Sequence, residues 1–279
     1  MSVKIIIDST VDTSAATRGK CTIVPLTVRF GDTEYTDGVT ISHQEFYQKL
    51  VSSKELPTTS QPTPDAFAQA YQKVVDAGDT AVVLTIASKL SGTYQSATIA
   101  AMDYPEQIFV VDSRNATIGS GILAELAVRL AEEGKTAKEI FDTLLAQRDK
   151  VRLFAMVDTL EYLKKGGRVS KTVAFAGELL SIKPLIQVLD GKIEMAGKAR
   201  GSRQANAMLL KQVDAAGPDF TKPYILGYTG MDPALLEKFI AESGDLWTTN
   251  GNAPDTTIIG SAIGTHAGPG AVAAAFFAN

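Results

Sequence analysis

Short runs rich in Val and Ile, apolar throughout, recur along the chain and constrain its fold more than any other feature. They occupy residues 3–7, 23–30, 81–86, 108–111, 153–157, 224–227 and 256–259. A strand without a polar face is buried on both sides, as in a parallel sheet covered by helices. Stretches with helical spacing lie between many of these runs, including residues 67–75 and 122–130. The pattern therefore predicts an α/β fold.

The middle of the chain predicts a different arrangement. Residues 185–189 and 192–196 form two short runs around Asp190-Gly191, a dipeptide that favours the tight turn of a β-hairpin. Because a hairpin is antiparallel, we expect an α+β second half. We place a domain boundary near residue 150, which gives an α/β N-terminal domain in residues 1–150 and an α+β C-terminal domain in residues 151–279.

Composition excludes several classes of protein. The net charge of −4 and the pI near 5.3 disfavour a nucleic-acid surface, which needs clustered Lys and Arg. Cys21 is the single cysteine, so an intrachain disulfide is impossible and a cysteine-based metal site is not expected. The chain opens on a strand-like run and contains no apolar stretch of the roughly 20 residues that span a bilayer. We expect a soluble cytoplasmic protein with no metal and no cofactor.

Hydroxyl and glycine residues follow several predicted strands, and ligands of open α/β sheets bind beyond the carboxyl ends of strands. Ser91-Gly92-Thr93 precedes a predicted helix, where free backbone N–H groups favour an anion; an ordinary helix cap is the alternative. Thr58-Thr59-Ser60 precedes Pro62 and is predicted to be an extended loop, which could instead cap the helix beginning near Pro64. Such turns also contain these residue types for conformational reasons alone.

His266 is one of two histidines and is surrounded by glycines in a turn that we expect at the end of a strand. An imidazole there can donate a hydrogen bond to a carboxylate, although a lone histidine is more often structural. The sequence has no P-loop, dinucleotide-binding, nucleophile-elbow or HExxH motif. A hydrolase or phosphotransferase using Ser91 and His266 on a small acidic substrate stays open, as does a carboxylate-only Mg²⁺ site at Asp8 and Asp112.

Seven motifs, in order, resemble those of the DegV family, the bacterial fatty-acid-binding carrier subunits of fatty acid kinase. They are Asp8-Ser9-Thr10, residues 56–62 (LPTTSQP), residues 90–97 (LSGTYQSA), Asp112-Ser113, residues 160–169 (LEYLKKGGRV), Lys183-Pro184 and residues 266–270 (HAGPG). The resemblance covers nearly the whole chain. Two departures are Gly201-Ser202-Arg203-Gln204, which is less basic than the family pattern, and Ser88-Lys89, where a second serine is commoner.

The resemblance implies a two-domain DegV-like fold with a long-chain fatty acid buried between the domains. It implies a carboxylate held by Thr59, Ser91 and His266, with backbone N–H groups of Ser60 and Gly92 nearby. Arg168 is implied to dock the kinase that phosphorylates the carboxylate to an acyl phosphate for phospholipid synthesis. This chain would be a lipid carrier without catalytic residues, in at most transient contact with a membrane. The apolar segment 172–182 is a candidate wall of the lipid tunnel.

Overall fold

The computed structural model describes residues 2–169, 182–248 and 253–279. The expected tunnel wall at 172–182 lies outside these residues except for Ile182. The first half of the chain contains the elements β1 (Val3–Asp8), α1 (Ala15–Arg18), β2 (Cys21–Val24), β3 (Thr27–Phe30), β4 (Thr33–Thr36), α2 (His43–Ser52), β5 (Thr58–Ser60), α3 (Pro64–Asp76), β6 (Thr80–Thr85), α4 (Thr93–Ala101), β7 (Ile108–Asp112), α5 (Thr117–Glu132) and α6 (Ala137–Gln147).

A four-stranded parallel sheet with the order β2-β1-β6-β7 forms the centre of this half. The last four residues of β1 and the last five of β6 are buried, as the apolar sequences of these inner strands predict. Helix α3 covers one face through Phe67, Tyr71 and Val74, which follow the helical period and are buried. The predicted α/β fold is thereby confirmed.

The predicted strand at 23–30 is wrong in one respect, because it is two strands in two different sheets. Pro25 separates β2, which joins the parallel sheet, from β3, which pairs with β4 and β5 in a small antiparallel sheet. Proline donates no backbone hydrogen bond and interrupts a sheet. The segment containing Thr59 is extended as predicted, but it forms strand β5 in place of a loop. Its hydroxyls do not cap α3, since Thr63 performs that function.

The second half contains a short 3₁₀ turn at Arg148–Lys150 and the elements β8 (Val151–Met156), α7 (Glu161–Lys165), β9 (Ile182–Leu189), β10 (Lys192–Arg200), α8 (Gly201–Ala216), β11 (Ile225–Tyr228), α9 (Ala234–Glu242), β12 (Asp255–Ile258), α10 (Ser261–Ala267) and β13 (Val272–Phe277). Its strands form a mixed sheet in the order β10-β9-β8-β13-β11-β12. The predicted hairpin is confirmed by the antiparallel β9-β10 pair. Its turn residues Asp190 and Gly191 have φ of 47° and 72°, as a type I′ turn requires.

Helix α5 lies between the two large sheets and is buried along most of its length. Its side chains Ile122 and Leu126 share one core cluster with Val82 of the parallel sheet and with Leu153 and Ala273 of the mixed sheet. The two halves are therefore packed through a common core, while the domain boundary near residue 150 stays a prediction. Among the described residues, no helix combines the length and the apolar character needed to cross a bilayer.

Candidate ligand-binding site

A cavity lies where the parallel sheet, the mixed sheet and α10 meet, and it encloses about 870 Å³ including the space open to solvent at its mouth. Most of its lining is apolar and comes from strand residues or strand ends: Ile86, Leu153, Ala155, Val157, Ile186, Val188, Ile193, Ile259, Ala271 and Ala273. Polar side chains also line it: Thr10, Thr59, Ser91, Thr117, Arg168, Gln187 and His266. The cavity therefore suits a ligand that is mainly apolar and carries a polar group.

His266 lies in the last turn of α10, not in the strand-end turn that the sequence predicted. Its Nε2 is 3.0 Å from Oγ1 of Thr59, while its buried Nδ1 has no hydrogen bond partner among the described residues. Burial, and next the charge of Arg168, lower the pKa of His266 to about 4. The imidazole is therefore neutral near pH 7, and an anion bound beside it would raise its pKa.

The close approach of α7 to α10 depends on the glycines that follow the two helices, Gly166 after α7 and Gly268 after α10. A Cβ built on Gly166 would overlap His266 Nδ1, and a Cβ on Gly268 would overlap the ring of Tyr162. Gly166 has helical φ and ψ of −71° and −14°. Its lack of a side chain therefore serves the contact with His266 and not the backbone conformation.

Thr59 and Ser91 reach the cavity from two different elements. Thr59 is positioned by the pairing of β5 with β3, where it lies opposite Val28. Ser91 lies in the turn before α4, with its Oγ 2.9 Å from Oγ1 of Thr93. Gln61 links the two segments, since its Nε2 donates to Ser96 of α4 at 3.1 Å and its side chain covers Gly92.

The expected site residues do not all line the cavity. Thr59, Ser91, His266 and Arg168 do so, whereas Ser60 and Gly92 are absent from its lining. Ser60 is exposed on β5, and Gly92 is the N-cap of α4 with Gln61 against it.

A second, more polar cavity encloses about 890 Å³, including space open to solvent, and shares Thr59, Arg168 and His266 with the first. Lys165, Tyr162 and Thr58 are among its other lining residues. Arg168 is exposed in the turn after α7, where its Nη1 donates to the carbonyl of Gly166 at 2.6 Å and its Nε to that of Leu90 at 3.4 Å. The three shared residues therefore lie between the apolar first cavity and the second cavity, which contains the cations of Lys165 and Arg168.

The carboxylates considered for Mg²⁺ are engaged within the protein. Asp8 accepts hydrogen bonds from Thr10 and from the backbone N–H of Ile86, and Asp112 accepts from Ser88. Within the described ranges, no group of three or more His, Cys, Asp or Glu side chains is placed to hold a metal ion.

Sequence reasoning missed three kinds of residue around this site. Gly166 and Gln61 act through contacts with partners far along the chain, and Arg168 was assigned only to partner docking. Asp12 and Asp37 are buried acids that hold α10. A signal was present for Gly166, since two adjacent glycines after a short helix suggest a close approach, but the sequence did not indicate to what.

Comparisons with known proteins agree with this architecture. The family model described as "Uncharacterised protein, DegV family" matches residues 2–279. A DegV domain-containing protein of Caldanaerobacter subterraneus is 36% identical over 257 residues, which are 91% of this chain and 90% of that protein.

Two solved structures have the same fold. One, described as fatty acid binding of a DegV family protein from Thermus thermophilus, has 31% identity, a TM-score of 0.87 and full coverage of both chains. The other is a stearic acid-binding protein from Eubacterium ventriosum, with 31% identity, a TM-score of 0.83, and coverage of 99% of this chain and 98% of that one. From its sequence and its fold, this chain belongs to the DegV family.

Proposed function

We propose that this chain binds a long-chain fatty acid, with its acyl chain in the apolar cavity and its carboxylate at Thr59, Ser91 and His266. The observation that carries the proposal is a mostly apolar cavity whose lining includes the hydroxyls of Thr59 and Ser91, the His266 imidazole and the Arg168 guanidinium. The fatty acid binding described for the DegV protein of Thermus thermophilus and the stearic acid binding of the Eubacterium ventriosum protein support it.

The energetics of such a ligand are favourable. Burial of apolar surface contributes about 0.8 kcal/mol per CH₂, so a chain of ~16 carbons gains on the order of 10 kcal/mol before entropic costs. A buried carboxylate must be compensated by hydrogen bonds, and charge-assisted bonds from hydroxyl and imidazole donors would do so. The contact between Thr59 and His266 places a hydroxyl and an imidazole at the same end of the cavity.

The bound carboxylate would be presented to the catalytic subunit of a fatty acid kinase. The second cavity supports this part of the proposal, because it meets the first at Arg168 and His266 and carries the cations of Lys165 and Arg168. A carboxylate oxygen would attack the γ-phosphorus of ATP, with ADP leaving, to give the acyl phosphate. The sequence has no nucleotide-binding motif, so the ATP and its metal would be supplied by the kinase, and the chain itself would be a carrier.

The alternative of a hydrolase or phosphotransferase built on Ser91 and His266 is less well supported. A serine nucleophile needs a hydrogen bond to its base. Here the Oγ of Ser91 lies at 2.9 Å from Thr93, and Nε2 of His266 lies at 3.0 Å from Thr59. The His266 imidazole is therefore hydrogen-bonded to Thr59 of the proposed carboxylate site, and Ser91 is hydrogen-bonded to Thr93.

A titration with palmitate tests the binding half of the proposal. We expect one molecule per chain, and an affinity loss of a hundredfold or more in the Ser91→Ala/His266→Ala double variant. Absence of binding by the wild-type protein, with palmitate or with other chain lengths, would refute the proposal.

The kinase half is tested with Arg168→Ala, assayed with a fatty acid kinase catalytic subunit and ATP. We expect acyl phosphate formation to fall at least tenfold while fatty acid affinity changes less, since Arg168 is exposed in the turn after α7. Arg129→Ala, which removes an exposed arginine of α5, is the matched control. Fatty acid binding lost as fully as in the double variant would contradict this division of roles.

A further inference from the structure

Two buried carboxylates from the start of the chain hold the N-terminus of α10. Asp12 Oδ1 accepts the backbone N–H of Gly260 at 2.9 Å. Asp37 Oδ1 accepts that of Ser261 at 3.1 Å, and its Oδ2 accepts that of Ala262 at 3.4 Å. Both acids are at most 2% exposed. Three successive N–H groups of one helix therefore bind side chains more than 220 residues away.

The helix depends on these contacts because it has little stability of its own. It has seven residues, and its N-cap Gly260 provides no side-chain hydrogen bond. Helices of this length are not stable in isolation. A carboxylate at the N-terminus satisfies free N–H groups and complements the helix dipole.

The opposite end of α10 carries His266, and the same small sheet reaches both ends. Asp37 follows β4, and its backbone N–H donates at 3.0 Å to the carbonyl of Leu26, the residue before β3. Thr59 lies on β5 of that sheet and contacts His266 at 3.0 Å. A shift at the Asp37 end of so short a helix would therefore move the imidazole relative to Thr59.

We infer that Asp37 is a positioning residue for the ligand-binding site: its carboxylate fixes α10 on the small antiparallel sheet and thereby sets the position of the His266 imidazole against Thr59. The effect on fatty acid affinity rests on the function proposed above. The effect on the imidazole itself does not, and it can be measured without a fatty acid.

The hydrogen-bond donors around Asp37 and Asp12 predict that replacing the aspartate by asparagine has different effects at the two positions. Both oxygens of Asp37 face backbone N–H donors, and Oδ2 also accepts from Ser9 Oγ at 2.8 Å. An asparagine there must turn its NH₂ towards an N–H group, which leaves a buried donor unpaired. Asp12 instead faces one N–H and the hydroxyl of Thr117 at 2.7 Å. A hydroxyl can accept as well as donate, so an asparagine at position 12 can keep both contacts.

Asp37→Asn is therefore the test, and Asp12→Asn is its matched control. The readout is the NMR titration of the His266 ring, in which the only other histidine signal, that of His43, is assigned with His43→Gln. In Asp37→Asn we expect the pKa of His266 to rise from about 4 towards the ordinary 6.5 as the ring leaves its buried position. Palmitate affinity should fall tenfold or more. In Asp12→Asn the pKa of His266 and the palmitate affinity should both stay close to the wild-type values, with the affinity within about threefold.

A folded Asp37→Asn protein with the wild-type titration of His266 would overturn the inference. If that variant does not fold, Ser261→Pro provides the second test, because it deletes the backbone N–H at position 261 that donates to Asp37. Proline suits the first helical position, and Gly260 before it is extended, with ψ of 170°. The His266 pKa should again rise, and unfolding of both variants would also overturn the inference, since Asp37 would then maintain the whole fold. If wild-type protein binds no fatty acid but the titrations behave as expected, only the proposed function fails.

Discussion

The contact between Gly166 and His266 gives the sharpest prediction. A Cβ added at Gly166 would lie 2.1 Å from His266 Nδ1, whereas ordinary contact begins at 3.4 Å, so the ring must retreat by about 1.3 Å. A shift of that size exceeds the tolerance of the 3.0 Å hydrogen bond between His266 and Thr59. The backbone at Gly166 is helical, so Gly166→Ala introduces no strain in φ.

The expected cost follows from the hydrogen bond that the ring would lose to a carboxylate. Hydrogen bonds to charged groups contribute about 1.5–3 kcal/mol, which corresponds to a loss of affinity between about tenfold and about a hundredfold. Thermal stability should change little, since alanine at a helical position favours the helix over glycine by roughly 0.5–1 kcal/mol.

The assay is displacement of a fluorescent fatty acid by palmitate, with circular dichroism to verify the fold. Gly19→Ala is the matched control, since Gly19 also ends a helix with φ of −64° and an added Cβ there approaches only carbonyl oxygens at 3.5 Å and beyond. A folded Gly166→Ala protein with wild-type affinity would show that the position of His266 does not determine binding.

Three further predictions concern Thr59, His266 and Gly121. Thr59→Val keeps the shape of the side chain but removes the hydroxyl bonded to His266, so we expect palmitate affinity to fall about tenfold in the displacement assay; unchanged affinity would remove Thr59 from the site. Because burial lowers the pKa of His266 to about 4 and a bound carboxylate favours the imidazolium, binding should take up a proton and affinity should fall as the pH rises from 5 to about 6.5. Calorimetry in two buffers of different ionisation enthalpy measures that uptake, and equal enthalpies would contradict it. Gly121→Ala places a Cβ on the backbone carbonyl of Asp12, so urea unfolding should show a loss of about 3 kcal/mol; a loss below about 0.5 kcal/mol would show that the backbone there can move.

Features fixed by local sequence were predicted well. The parallel strands could be predicted because each is a short apolar run, and the hairpin because Asp190-Gly191 suits a turn with two positive φ angles. The helix after Ser91 begins at Thr93, close to its predicted start. In each case the signal lies within about ten residues and needs no knowledge of distant partners.

Features that depend on tertiary context were missed. Strand β13 is a central strand of the mixed sheet, yet its Ala-rich sequence has low strand propensity and no alternation, so it was not predicted. The turn around His266 was expected from its glycines, but Asp12 and Asp37 supply the N-terminal hydrogen bonds that make it a helix. No spacing in the sequence indicates bonds between residues so far apart.

The candidate site was predicted in part, mainly through the resemblance to the DegV family. The residues alone suggested an anion site near Ser91 and a possible role for His266, but spacing did not bring Thr59 to the same cavity. In the structure these three side chains line one cavity, whereas Ser60 and Gly92, whose backbone N–H groups were expected nearby, are absent from its lining.

Native mass spectrometry of the purified protein, followed by organic extraction and identification of any released molecule, tests the central claim most directly. We predict one long-chain fatty acid per chain, and its loss from the Ser91→Ala/His266→Ala double variant. A protein that carries no fatty acid, and that stays empty when offered a panel of chain lengths, would contradict the proposed function and favour a small anionic ligand.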